Sequence, residues 1–321
     1  MGFISRQFEN YYKKTVYKRR EDDGTLFYFM CSDFDGLVSE DFSFVTKQGY
    51  RLCGHFYHYG NPKPDRLIVF EHGMGVGHRA YLREIERIAR EGYLVYSYDH
   101  TGCTESEGEH IMGLSGSIAD LDACVAALIE SGFAPEQISV IGHSWGGYST
   151  MNILSCHPRL HSIVALSGFI SLRDMHMQVI PGILAPFRPA IFALEERTNP
   201  GYAEKSAIET LGNTTAPALI IHSTDDNSVD FKRHFLKLRN ALSHKENITF
   251  LELSGRVHNP TYTPEAVKYK QEFFKAHTKR MKQGLHKNKE DHKAFLASYD
   301  WRKITEQDES VWRVVFEFLN K

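Results

Sequence analysis

The chain has no long apolar run. Its longest, from Val179 to Leu194, is too short to span a bilayer and is interrupted by Pro181, Pro186, Arg188 and Pro189. The basic opening, MGFISRQFENYYKKTVYKRR, has no apolar stretch of the kind a secretory signal needs. Cysteine is scarce and odd in number. Cys31, Cys53, Cys103, Cys124 and Cys156 show no CxxC spacing and read as reduced thiols in a cytoplasmic protein. Charge of one sign is not in excess: the formal net charge is −2 with both signs interspersed, so no electrostatic footprint for nucleic acid is expected. There is no repeat of fixed period, no low-complexity segment and no Gly/Ser linker that would cut the chain in two. A globular intracellular protein remains, and 321 residues suit one α/β domain with insertions.

What is present is a rhythm. Residues 41–46 and 51–57 flank Gln48-Gly49 and read as a hairpin. Short apolar runs follow at residues 66–71, 93–98, 138–142, 163–167, 218–223 and 248–253. Helical spacing separates them, at 81–91, at 117–129, from Trp145 onward and over 229–242. Apolar strands alternating with helices predict a mostly parallel, doubly wound sheet covered on both faces.

Three stretches fall outside the rhythm. An aromatic-rich extension covers residues 1–40. Residues 170–216 form an insertion, expected as a helical lid. Residues 263–307 form a second excursion, opening on Thr263-Pro264-Glu265 as a helix start and reading as a solvated surface helix, with a wall near His258 as the alternative. The chain closes on a helix expected to be capped by Thr305-Glu306-Gln307-Asp308, with Val311, Trp312, Val315, Phe316 and Leu319 on one face.

Gly142-His143-Ser144-Trp145-Gly146 stands where a strand gives way to a helix. This G-x-S-x-G pattern is a nucleophile elbow: a sharp turn lifts the serine above the sheet at a helix N-terminus, and side chains at the glycine positions would clash. A serine nucleophile needs a base, and the base needs an orienting carboxylate. Two later strands supply both in the chain order this fold uses. One is followed by Thr224-Asp225-Asp226-Asn227, the other by Ser254-Gly255-Arg256-Val257-His258. Each lies just past a strand's C-terminal end, where open α/β sheets build their sites. Either aspartate could instead cap the next helix, and His258 could be a plain loop residue; their joint order and placement argue otherwise.

These motifs resemble the α/β-hydrolase superfamily, in its esterase and serine-aminopeptidase-like branch of cinnamoyl esterases and prolyl aminopeptidases. The resemblance runs from about residue 49 to 260. It rests on His72-Gly73-Met74-Gly75, on Asp99-His100-Thr101-Gly102 with Ser106, on the elbow, and on the acid and histidine loops. Thr101 stands where the family usually has arginine, and Thr104 replaces its second glycine. The family's acid loop, with Ser223 at its glycine position, places the acid at Asp226 rather than Asp225. The resemblance also implies an oxyanion donor at the Met74 amide, alongside that of Trp145, the residue after the nucleophile.

The expected reaction is acyl-enzyme hydrolysis of a carboxylic ester by Ser144, His258 and Asp226, requiring neither metal nor organic cofactor. Apolar side chains in the lid either point to an acyl or aromatic ester, with Phe187 and Phe192 as candidate substrate contacts, or simply pack the lid onto the body. Two alternatives remain open. A small peptidase would need a lid carboxylate for the substrate amine, for which Glu195 and Glu196 are the available pair. A catalytically dead relative would serve as a binding protein.

Overall fold

A computed structural model describes residues 3–63 and 65–321, with side chains from residue 6 onward, so the first two residues of the N-terminal extension lie outside it. Among the described residues the strands are β1 (Leu37–Val45), β2 (Arg51–Tyr59), β3 (Leu67–Glu71), β4 (Leu94–Tyr98), β5 (Ile138–His143), β6 (Ser162–Leu166), β7 (Ala218–Ser223) and β8 (Ile248–Leu253). They form one eight-stranded sheet in the order β1-β2-β4-β3-β5-β6-β7-β8. β1 and β2 pair antiparallel, as does β2 with β4; every pairing from β4 through β8 is parallel.

The helices are α1 (Phe3–Val16), α2 (Leu82–Arg90), α3 (Gly116–Glu130), α4 (Trp145–Ile153), α5 (Leu172–Val179), α6 (Arg188–Thr198), α7 (Ala207–Gly212), α8 (Lys237–Leu242), α9 (Pro264–Lys282), α10 (Lys289–Ala297), α11 (Trp301–Ile304) and α12 (Glu309–Leu319). Both sheet faces are covered, so central strands are apolar at successive positions rather than at alternate ones. In β3, Leu67 and Val69 enter a core with α3, α4, α7 and α8 (Leu121, Met151, Leu211, Leu238). Ile68 and Phe70 enter the opposite core with α2 and α12 (Ile85, Ile88, Trp312, Val315).

The structure shifts several expected details. The hairpin is longer than 41–57, pairing Leu37 with Tyr59 at its open end. α12 is capped by Asp308, whose carboxylate accepts from the Ser310 amide. Thr305 instead closes α11, donating its hydroxyl to the Trp301 carbonyl. The helix expected from Val229 begins only at Lys232, as a wide π-type turn running into α8, because Asp226 holds the Ser228 and Val229 amides.

The N-terminal extension runs across the outside of the molecule. α1 packs on α6: the Tyr12 hydroxyl donates to Glu195 at 2.8 Å and Tyr17 to Thr198 at 3.0 Å. Further on, His277 (α9) and His292 (α10) both donate to the Thr25 carbonyl, at 2.9 and 3.0 Å. No helix among the described residues is long and apolar enough to cross a membrane.

Candidate active site

Ser144 occupies the turn between β5 and α4 with φ 57° and ψ −113°, a conformation that non-glycine residues rarely hold. Its amide donates to the Leu166 carbonyl at 2.8 Å, which fixes the turn against β6. The flanking glycines are dictated by space. A Cβ on Gly146 would lie 2.1 Å from the Glu71 carbonyl oxygen, and one on Gly142 2.3 Å from that of Gly146. The HG turn closes from the other side, where a Cβ on Gly73 would meet the Tyr81 hydroxyl and come within 3.2 Å of the His143 carbonyl oxygen.

The acid and histidine loops meet this turn. His258 Nε2 is 2.8 Å from Ser144 Oγ, and its Nδ1 is 2.8 Å from Asp226 Oδ2 and 3.0 Å from Oδ1. Burial pushes the Asp226 carboxyl upward, but His222 and His258 outweigh it and hold the group well below the usual carboxylate range. The Ser228 and Val229 amides donate to the same carboxylate, and His222 Nε2 lies 3.2 Å from its Oδ2. Asp225 faces elsewhere. Its Oδ1 accepts from the Ser223 hydroxyl and the Gly255 amide, bracing the start of the histidine loop. Arg256, in that loop, pairs with Asp308 at the start of α12 at 2.6 Å.

The Met74 and Trp145 amides make no hydrogen bond within the protein among the described residues. Trp145 is the first residue of α4, so its amide belongs to the unpaired donors of a helix start. Its indole is committed, donating to the Leu114 carbonyl at 2.6 Å.

Several contributors carried no pattern in the sequence. His143 Nε2 donates to the His258 carbonyl at 2.6 Å while its Nδ1 accepts from the Tyr81 hydroxyl at 2.9 Å. Burial and the neighbouring His258 lower the His143 pKa to about 3, so it stays neutral in this bridge. Beneath the elbow, His100 sits fully buried between Glu71 (3.1 Å) and Asp120 (3.2 Å). Burial opposes its charge, but the two carboxylates win and raise its pKa to about 10. Glu71 also accepts from Ser149 of α4, so this charged layer underpins the elbow helix. The two family departures take up turn roles. Thr101 donates to Asp120 at 2.8 Å, and Thr104 adopts the positive φ (38°) that a glycine would otherwise supply.

A cavity of about 380 Å³ opens beside His258. Met74 and Tyr81 line it from the HG-turn side, Phe27 and Phe29 from the N-terminal extension, Phe274 and Trp301 from the C-terminal excursion. Phe187 and Phe192 are not among its lining residues. Phe187 stacks on Phe8 of α1 at 5.2 Å, and Phe192 lies under the Arg173 guanidinium at 3.9 Å. The insertion rests on the elbow helix through Met175 and Leu172 against Trp145 and Tyr148, and on the acid loop through Gln178, which donates to the Ser228 carbonyl. Much of the lid's apolar surface is thus used in packing, while Met177, Val179 and Ile183 stay exposed. Glu195 accepts from the Tyr12 and Ser115 hydroxyls and from the Leu114 and Ser115 amides, and Glu196 from the Gly201 amide. The lid carboxylate that an aminopeptidase would need is therefore already engaged at Glu195.

Comparison with known proteins agrees with this architecture. A family model described as serine aminopeptidase, S33, matches residues 62–200, a span that includes the HG turn and the elbow. An esterase from Pyrococcus furiosus has a similar structure, with a TM-score of 0.58 at 21% identity over 85% of this chain and 97% of that one. An α/β-hydrolase from Penicillium superposes with a TM-score of 0.51 at 18% identity, covering 69% of this chain and 91% of that one. An acylaminoacyl peptidase from Pyrococcus horikoshii gives 0.54 at 16% identity over 69% of this chain and 38% of that one. The fold is that of an α/β-hydrolase.

Proposed function

We propose that the protein hydrolyses carboxylic esters through an acyl-enzyme formed on Ser144. The observation that carries this reading is the unbroken chain from Ser144 Oγ through His258 to Asp226, with a contact of 2.8 Å at each link. His258 Nε2 takes the Oγ proton as Oγ attacks the ester carbonyl. Asp226 keeps the His258 proton on Nδ1 and stabilises the imidazolium that forms. The unengaged amides of Met74 and Trp145 receive the oxyanion. As the tetrahedral intermediate collapses, the C–O bond breaks and His258 returns the proton to the departing alcohol. Water, deprotonated by His258, then attacks the acyl-enzyme, and the acid leaves with Ser144 restored.

The match to a serine aminopeptidase model favours amide cleavage as a second reading. Engagement of Glu195 by four donors speaks against the amine recognition such an enzyme requires. Fluorophosphonate labelling with identification of the modified residue, followed by matched panels of esters and aminoacyl amides, separates the two. Label on Ser144 with turnover of esters is expected. Turnover of aminoacyl amides alone would refute the ester reading.

A further inference from the structure

The cavity beside His258 is apolar along most of its wall, but four charged side chains line it as well; Arg79 pairs with Glu105 and Arg83 with Glu86, which leaves Glu84 and Lys270. Glu84, in the first turn of α2, is 4% exposed, and its Oε2 has no hydrogen-bond partner. Lys270, from α9, reaches the same cavity with its ammonium over the Tyr262 ring at 4.7 Å, donating to the Asn259 side chain at 2.5 Å. Glu84 and Lys270 make no ion pair within 4.0 Å of each other. A buried carboxyl oxygen left without a donor costs about 1–3 kcal/mol. Neither the proton path through His258 nor the packing of α2, which uses Ile85 and Ile88, explains why Glu84 is there. Burial drives the Glu84 carboxyl up, with Lys270 and the Tyr262 hydroxyl pulling it partly back, and drives the Lys270 ammonium down, so each group gains from a further polar partner placed between them. A hydroxyl suits both, donating to the carboxylate and accepting from the ammonium through one oxygen.

The position of the cavity tells which half of an ester would enter it. His258 lines it and Ser144 does not. In ester hydrolysis the departing oxygen takes its proton from the histidine, so the alcohol half lies on the histidine side. Building on the ester-hydrolase reading above, we infer that this cavity is a leaving-group pocket. In it Glu84 and Lys270 recognise a hydroxyl on the alcohol half, so the preferred substrates are esters of apolar alcohols that carry a second hydroxyl.

The test compares kcat/KM for butyrate monoesters of straight-chain α,ω-diols with butyrates of the matching simple alcohols. Monobutyrates of ω-amino alcohols, and methyl esters of ω-hydroxy acids against plain acids, complete the set. At the best chain length the wild type is expected to favour the diol monoester by roughly ten- to hundredfold, the range of a hydrogen bond to a charged group. Glu84→Leu and Lys270→Met should each cut that ratio about tenfold or more, and the double variant should favour the simple alcohol. If Glu84→Leu fails to fold, the wild-type ratio and Lys270→Met still decide. A wild-type ratio near one, or a ratio unchanged in Lys270→Met, overturns the inference. Preference for the hydroxyl on the acid half overturns its leaving-side placement, and preference for the ω-amino ester overturns hydroxyl recognition in favour of a cation. In all these cases simple esters still turn over. Loss of every ester activity in folded protein would instead overturn the ester reading itself.

Discussion

Replacing Asp226 with asparagine alters one atom of a carboxylate that four donors share. If the asparagine oxygen keeps the Ser228 and Val229 amides, its NH₂ must stand where Oδ2 was, 2.8 Å from His258 Nδ1 and 3.2 Å from His222 Nε2. His222 tolerates this, because its Nε2 has a second acceptor in the Val229 carbonyl at 3.0 Å. His258 Nδ1 keeps only the longer 3.0 Å contact to Oδ1, an oxygen already shared by two amides, while the NH₂ stands nearer at 2.8 Å, so Nδ1 becomes an acceptor and its proton moves to Nε2. That proton then points at Ser144 Oγ, and the imidazole can no longer act as a base. A tautomer exchange of this kind lowers turnover by roughly 10⁴ in serine hydrolases, or about 5 kcal/mol in barrier. Asp225→Asn is the matched control. Both bonds to Asp225 fall on one oxygen, which asparagine retains, so its loss should stay under about tenfold. The assay is kcat on a small soluble ester with the rate of fluorophosphonate labelling, alongside thermal unfolding to show that both variants are folded. A folded Asp226→Asn within tenfold of wild type, or a larger loss from Asp225→Asn, would refute the reasoning.

Ser144→Ala should leave the fold intact and abolish labelling, with turnover lower by a factor on the order of 10⁶; normal labelling would remove Ser144 from its proposed role. Gly146→Ala places a Cβ 2.1 Å from the Glu71 carbonyl and should cost more than ~3 kcal/mol in urea unfolding, whereas wild-type stability would show that the elbow relaxes. Phe187→Ala, which loses the stack on Phe8, should lower Tm by an amount equivalent to about 1 kcal/mol without changing selectivity between bulky and small esters; a selective rise in KM for bulky esters would return Phe187 to the substrate site. Stability should fall on both sides of neutrality. His72 and His143, held neutral with pKa near 3, leave the folded chain with fewer protons than the unfolded one, so stability is lost as pH drops below about 6.5, by up to ~1.4 kcal/mol per unit for each. His100, raised to about 10, works in the opposite sense: its contribution is complete below about 6.5 and is lost as pH rises toward 10. A pH–Tm profile of His100→Gln should lack part of the alkaline fall, and an unchanged alkaline arm would count against the buried charge.

The sheet and the meeting of Ser144, His258 and Asp226 were legible because the elements that carry them have local requirements. Doubly covered strands must be apolar at successive positions, as in Leu67 to Phe70, and an elbow must have glycine where Glu71 and Gly146 carbonyls crowd the turn. The cavity beside His258 was not legible, because its walls come from segments far apart in the chain that share no pattern. Phe27 and Phe29 precede the first strand, Tyr81 follows the HG turn, and Trp301 comes from a four-residue helix. The lid was ambiguous for a physical reason. Apolar residues in an insertion can be covered by substrate or by the body, and the sequence left both open; α1 and the elbow helix cover Leu172, Met175, Ile180 and Ile191, while Ile183 stays exposed. Thr305 misled, since a capping pattern does not say which of two adjacent helices it serves.

The cavity and His258 are mechanically linked through Tyr81. Its ring lines the cavity, its hydroxyl donates to His143, and His143 in turn donates to the His258 carbonyl. Val257, immediately before His258, holds a positive φ of 41°, which a β-branched residue adopts only when its surroundings impose it. The His143 bond and the Arg256–Asp308 pair are contacts that bear on that loop from opposite sides. Because His143 is neutral with a single ring proton, the Tyr81 hydroxyl donating to its Nδ1 favours the tautomer whose Nε2 proton is given to the His258 carbonyl. Tyr81→Phe therefore removes more than a hydroxyl: it frees His143 to change tautomer and releases the His258 carbonyl. The expected result is a lower kcat on small and large esters alike, with KM for large esters little changed because the ring that lines the cavity remains. A KM effect confined to large esters would place the role of Tyr81 in the cavity wall alone and break the proposed link to the histidine loop.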